Sequence, residues 1–409
     1  MSTWEGTQMV ESIDLDTYGT RFREDPHSVY AELRALGPVH RVRLPPPEDM
    51  DDTYVVVGYE ECRSALRDPR FAKSAAAAGF AFHEEELIGT HLLIADPPQH
   101  TRLRALITRE FTARRVEGMR PRIQSITDGL LDEMLVHGES ATARRADLLE
   151  AFAFQLPITV ICELLGVPDI DRSTFRRLSN GVVASPDQEA ERAAFEELAA
   201  FLAELVEAKR RSGQGEDLLS ALIRTTDDEG GDRLSTAELR GMAFLLLIAG
   251  HETTVNLIAN AVHALFTHPA QLAALRADMS LLDGAIEEAL RYEGPLESAT
   301  YRFATEPTEL GGVVIPTGAI VRIGLAAANR DPGRFPEPDG FDIRRAAQGH
   351  MAFGHGLHHC LGAPLARVEA KIALGSLLER CPGLAPDGPP GEWLPGTLIR
   401  GVRRLPVRW

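Results

Sequence analysis

Apolar positions along the chain fall mostly into helical spacing, with short β-branched runs lying toward its two ends. Tyr54-Val55-Val56-Val57 is bounded by polar or turn residues and reads as a strand. Gly311 to Gly318 reads as two short strands around a turn. Between these lie long helical patterns. Asp96-Pro97-Pro98 places an N-cap acid before a proline at the first helical position, predicting a helix that runs through Arg104. Ser235 and Glu238 have capping-box spacing, and the pattern they open continues to about Thr267, just before His268-Pro269. At 1.5 Å per residue that helix would be roughly 48 Å long, enough to cross a domain. From Arg330 to Gly349 the chain is too rich in proline, glycine and charge for a helix or a central strand, and reads as an ordered meander or loop. Ala363 to about Glu379 reads as a further helix. Internal repeats and long linkers are absent from the sequence, so one mainly α domain over residues 1–409, with minor β pieces, is the expected organisation.

Composition narrows the function classes. The 409 residues carry 60 Asp and Glu against 43 Lys and Arg, a formal charge of −17. Such acidity argues against a general nucleic-acid or anionic-membrane binder. The longest apolar stretch, Gly241 to Gly250, is about half of the roughly 20 residues needed to cross a bilayer. The N-terminus has neither a basic nor an apolar signal region, so a cytoplasmic location is expected. Four cysteines, at 62, 162, 360 and 381, form no CxxC pair and no disulfide-like ladder.

Three local patterns carry chemistry. In Phe353-Gly354-His355-Gly356-Leu357-His358-His359-Cys360-Leu361-Gly362, three glycines let the backbone pass close to something flat and bulky. Cys360 stands just before a helix, where unpaired amides and the dipole favour thiolate and metal ligation; a buried structural cysteine is the plainer alternative. In Ala249-Gly250-His251-Glu252-Thr253-Thr254, a carboxylate and two hydroxyls interrupt an apolar helix, which is costly unless they are used. His251-Glu252 begins the zinc-protease pattern H-E-x-x-H, but Val255 stands where the second histidine is needed. Glu288 and Arg291 share one helical face; taken alone, such a pair is most often an exposed ion pair.

The cysteine segment matches the haem-ligand signature F-G-x-G-x-H-x-C-x-G of the cytochrome P-450 monooxygenases at every fixed position. The rest of the chain agrees: Glu288 to Arg291 supplies E-x-x-R, and Ala249 to Thr254 resembles the oxygen-activation motif A-G-x-[D/E]-T-T. The similarity is closest to soluble actinomycete enzymes that hydroxylate macrolides and other polyketides. It implies the P-450 fold, a large helical part with a smaller β-rich part, holding heme b (iron protoporphyrin IX). Since C-x-x-C-H is absent, the haem would be dissociable, with Cys360 as its proximal ligand. A thiolate ligand favours O–O cleavage and hence a monooxygenase rather than an oxygen carrier.

The resemblance also assigns residues. Glu252 and Thr253 would organise the water chain that protonates O2, with the small Ala249 and Gly250 leaving room for it. His100, Arg104, Arg302 and His358 would hold the haem propionates, since buried carboxylates need charged or hydrogen-bonding partners. Glu288 and Arg291 would form a structural network with Arg334 of the meander. The substrate pocket would involve Leu92, Leu93 and Ile94, Ile248 and Ala249, Leu296 to Ala299, and Leu398 with Ile399, favouring a bulky hydrophobic ligand for hydroxylation or epoxidation. Glu85, in the triplet Glu84 to Glu86, would pair with a cationic amino sugar unless the triplet is simply solvated.

Between Thr101 and Arg122 lie seven arginines, at 102, 104, 109, 114, 115, 120 and 122, against Glu110 and Glu117. Beside the proximal face of the haem they would dock an acidic ferredoxin, supplied in turn by a ferredoxin reductase and NAD(P)H; the alternative is a solvated helix face. A haem-binding sensor or carrier without turnover competes with the enzyme reading, and the intact Glu252-Thr253 pair disfavours it.

Overall fold

The computed structural model describes residues 11–409 except 47, 49, 77–87, 138–143, 168–171, 184–187, 213–214 and 228–233. Helices hold 56% of it, placing the fold in the mainly α class. The helix Thr236–Thr267 organises the rest. Its start is the expected capping box: Ser235 Oγ accepts from the Glu238 amide (3.1 Å), and Glu238 Oε2 accepts from the Ser235 amide (2.8 Å). It ends before Pro269, which opens the next helix.

This is the one helix among the described residues long and apolar enough to cross a membrane, yet 67% of its most apolar stretch is buried inside the protein. Around it pack Gln155–Leu165, Leu282–Glu293 and Ala363–Arg380, sharing one large hydrophobic core. Gly250 fixes one of these contacts, because a Cβ there would lie 2.9 Å from Ile161 Cδ1. Its smallness therefore serves helix packing.

The β-rich part has its own two cores. Its main sheet runs, edge to edge, Ile13–Asp14, Val39–Arg43, Thr53–Val56, Ile320–Ile323, Arg302–Ala304 and Phe71–Ala72. Thr53–Val56 is central and wholly buried, which accounts for its continuous apolar run. Gly311 to Gly318 contains one strand, Val313–Ile315, instead of two; its partner Thr308–Leu310 precedes the segment. The turn is Gly311-Gly312, with φ of +56° and +82°, the positive values a tight two-residue hairpin requires.

Asp96 also departs from expectation. The helix begins at Gln99, and the Asp96 carboxylate instead accepts from the amides of Lys73 (3.0 Å) and Ser74 (2.8 Å). It joins the end of an edge strand to the start of the helix.

The meander 330–349 has no helix or strand, so its carbonyls need other donors. Arg291 supplies them, donating to the carbonyls of Asn329 (3.0 Å), Pro338 (2.8 Å) and Gly340 (2.9 Å). Its remaining N–H groups form a fork on Glu288, both bonds at 2.8 Å. The second guanidinium on Glu288 belongs to Arg345 (3.1 Å) and not to Arg334, which donates to the Gln348 carbonyl and lies over Phe335. Both arginines lie in the meander, and only the folded path decides which reaches Glu288.

One residue earlier, Glu287 accepts from Arg367 (2.6 Å) and contacts His350 Nε2 (3.1 Å). Burial pushes this carboxyl up, but its two partners overcome that and lower it from 4.5 to about 2. A depressed folded-state value contributes stability that is present above 4.5 and lost as pH falls toward 2. Glu287→Gln is therefore expected to unfold at lower urea than the parent at neutral pH, with the difference closing as pH drops through that window. A constant difference across the window would show that the carboxylate charge is not the source.

Candidate active site

Cys360 sits between a tight loop and the helix Ala363–Arg380. Its amide donates to the Phe353 carbonyl (2.9 Å), closing the loop on itself. Gly356 has φ +75°, and a Cβ there would lie 2.7 Å from the Leu66 carbonyl, so only glycine lets the loop pass. Cys62, Cys162 and Cys381 are buried, whereas Cys360 is exposed. The residue is open to solvent on one side only, and desolvation by the protein around its sulfur raises its thiol pKa against the opposing pull of the Gly362 and Ala363 amides and of Arg104 and Arg367. Ligation to a cation favours the thiolate against that upward pull.

Beside the loop the structure gathers buried nitrogen. His100 is 1% exposed, and neither ring nitrogen has a partner among the described residues. The His358 ring lies 4.3 Å from it. Arg302, buried in its strand, has an unpartnered Nε. Burial, then Arg302 and His100, push His358 down to about 2, and burial lowers Arg302 to about 10 against the pull of Asp96. Arg104 donates to the carbonyls of Leu357 (2.9 Å) and His359 (2.8 Å), holding the cysteine loop to the Gln99–Glu110 helix.

Two members of this cluster carried no sequence signal. Lys73 is buried, with Nζ donating to Thr300 Oγ1 (2.5 Å) and the Tyr301 carbonyl (2.8 Å), and burial drives its pKa well down. His91 is buried with Nδ1 unpartnered, and burial followed by Lys73 lowers it to about 4. Buried Lys73 and Arg302 among imidazoles with unpartnered nitrogens call for an anionic, hydrogen-bonding group. Two carboxylates reaching in from a haem beside Cys360 fit this need.

On the central helix, Leu245, Ala249 and Thr253 follow i, i+4, i+8 spacing along one face, and Ala249 is exposed. Thr253 Oγ1 donates to the Ala249 carbonyl (3.0 Å), and Glu252 is buried. Leu296 bridges Ile399, and the Glu297 amide donates to the Leu398 carbonyl (2.9 Å), so Leu296, Leu398 and Ile399 belong to one wall. The Ala299 amide ties it to the Ile323 carbonyl (2.9 Å).

Leu93, Ile94 and Ile248 are half-buried, whereas Leu92 belongs to the helical core with its amide on Met242 Sδ (3.3 Å). Glu85 lies outside the described residues. Residues distant in sequence pin the wall: Arg322 Nε donates to Ser298 Oγ (2.7 Å), and Glu48 accepts from the Thr397 amide (2.8 Å) and from Arg322 (3.3 Å).

The arginine run is not one charged face. Arg102 pairs with Glu238, Arg120 with Glu117 and Arg122 with Glu163, while Arg115 donates to the Glu216 carbonyl. Arg109 and Arg114 are exposed. Arg109 and Arg104 line a depression of about 530 Å³ together with His100, Thr108 and Leu357, whose side chain is 49% exposed.

The family model for cytochrome P450 matches residues 15–390. Cytochrome P450 monooxygenase PikC of Streptomyces venezuelae is 56% identical over 97% of this chain and 94% of its own length. The 6-deoxyerythronolide B hydroxylase of Saccharopolyspora erythraea is 43% identical over 96% and 98%. The tirandamycin C-bound structure of the P450 monooxygenase TamI superposes with a TM-score of 0.88 at 45% identity, covering 97% of this chain and 99% of that one. With these likenesses running through a cysteine loop and a buried cationic cluster suited to haem, the chain belongs to the cytochrome P450 family of haem-thiolate monooxygenases.

Proposed function

We propose that this monooxygenase hydroxylates or epoxidises a bulky, largely apolar polyketide, a macrolide first among the candidates, in bacterial secondary metabolism. The wall of Leu296, Leu398 and Ile399 carries this reading, because apolar walls select an apolar ligand. The names of two relatives, a 6-deoxyerythronolide B hydroxylase and a mycinamicin IV hydroxylase/epoxidase, point the same way. The whole chain acts as one cytoplasmic haem-binding domain.

Cys360 would ligate the haem iron, and His100, Arg302, His358 and Arg104 would hold the propionates, with Lys73 adding positive charge near Arg302. When bound, heme b supplies the reductive activation of O2. A guanidinium has five N–H groups, so Arg104 keeps donors beyond those spent on Leu357 and His359. Thr253 presents a hydroxyl on the face that carries Ala249, positioned to hold water, and Glu252 is the carboxyl that passes protons to that water. Glu288, Arg291 and Arg345 keep the meander, and through it the cysteine loop, in place. Electrons arrive from an acidic ferredoxin and its reductase, docked over Leu357 with Arg104 and Arg109 beside it.

In the reduced, carbonyl-bound holoenzyme, Cys360→Ser is expected to lose the red-shifted Soret band of thiolate ligation; retention of the band would reject Cys360 as ligand. Spectral titration with macrolides should displace the resting absorbance at micromolar concentrations, whereas response only to small or polar ligands would overturn the substrate class. Arg109→Glu should slow reduction by ferredoxin by roughly 10-fold at low salt, and Arg122→Glu, already paired with Glu163, much less. Equal rates in both variants and the parent would remove the docking site.

A further inference from the structure

Glu252 does not stand alone in the central helix. Its Oε1 lies 3.3 Å from Nε2 of His251, and that same nitrogen lies 2.9 Å from Oγ of Ser179 on the helix Arg172–Val183. His251 and Ser179 are both fully buried, and Phe154 packs edge-on against the imidazole. Successive residues on a helix do not normally face each other, so the contact between His251 and Glu252 must be held from outside the pair.

The backbone sets the tautomer. His251 Nδ1 is 2.8 Å from the Leu247 carbonyl, which only accepts, so Nδ1 carries a proton and donates it there. Nε2 is left as the nitrogen that gains or loses a proton. When bare, it accepts from the Ser179 hydroxyl; when protonated, it donates to the Glu252 carboxylate and to the Ser179 oxygen. Serine accommodates both states by turning its O–H, without movement of either helix.

We propose that His251 is the proton-holding positioning residue for Glu252, and that Ser179 ties it to the helix Arg172–Val183, so that the seating of that helix sets where the relay proton rests. This rests on the reading of Glu252 as the carboxyl that supplies protons. The transfer balances within the pair. A proton leaves His251 Nε2 for Glu252 Oε1, converting imidazolium and carboxylate into neutral imidazole and neutral acid. The second proton stays on Nδ1, donated to the Leu247 carbonyl, and the Ser179 hydroxyl turns to donate to Nε2.

The test uses the haem-loaded enzyme with its redox partners and a turned-over substrate. Ser179→Ala should raise the peroxide released per product formed by roughly 10-fold, the scale of losing an outer partner of an oriented group. Ser179→Thr, which keeps the hydroxyl, should restore the parent ratio, and both variants should keep the thiolate Soret band. In the diamagnetic carbonyl form, ¹⁵N-histidine spectra should show His251 protonated at Nδ1, its signals assigned by their loss in His251→Gln. A Ser179→Ala ratio equal to the parent's, or a bare Nδ1, overturns the proposal. The second readout stands even if that variant fails to fold. Glu252→Gln separates the two levels: unchanged coupling there removes the relay itself, whereas uncoupling there with none in Ser179→Ala removes only the role of His251.

Discussion

A stretch of about twenty residues without helix or strand satisfies only part of its backbone through its own turns, and the route from the Leu282–Glu293 helix to the cysteine loop passes through such a stretch. The fully buried Glu288–Arg291 pair resolves this. Glu288 neutralises and orients the guanidinium, and the guanidinium then donates to three carbonyls of the meander and its approach. Asn329, one of the three, accepts at its side-chain Oδ1 from the Met351 amide (2.6 Å), just ahead of the loop that carries Cys360. A pair that by sequence resembles an ordinary surface ion pair is therefore a structural anchor. Removing one partner of such a pair costs about 3–5 kcal/mol, because the other is left buried and uncompensated.

The site inherits a second electrostatic constraint. Lys73, Arg302, His100 and His358 are gathered where water is excluded, and Asp96 is the carboxylate that faces them. Burial lowers the pKa of each, and a pair of anionic groups set among them would offset that loss of water. Arg104, one turn along the helix from His100, binds the cysteine loop to that helix, so His100, which would hold the haem, and the residue that holds the loop share one helix.

Charge on the outer face follows a different logic. Seven arginines within about twenty residues suggest a broad cationic surface, but three are paired with glutamates and a fourth is spent on a carbonyl. What stays outward is local, around Leu357 and the depression next to it. Surface pairing reduces the long-range field while leaving a compact cationic spot near the cysteine loop, which favours an oriented encounter over general attraction of anions.

The sequence by itself determined the features whose physics is local. The capping box at Ser235, the break at Pro269, the helix after Cys360 and the glycine-dependent loop each depend on neighbours a few residues apart. The spacing that marks the cysteine segment is also what lets the loop close on Phe353. Only the tertiary structure decided which distant groups meet. It chose Arg345 over Arg334 for Glu288, drew Asp96 to the edge strand instead of a helix cap, packed Gly250 against Ile161, and placed Lys73 near Arg302 and His91 near Lys73. Pairing across tens or hundreds of residues depends on which groups lose their water together when the chain packs, and no local pattern records that.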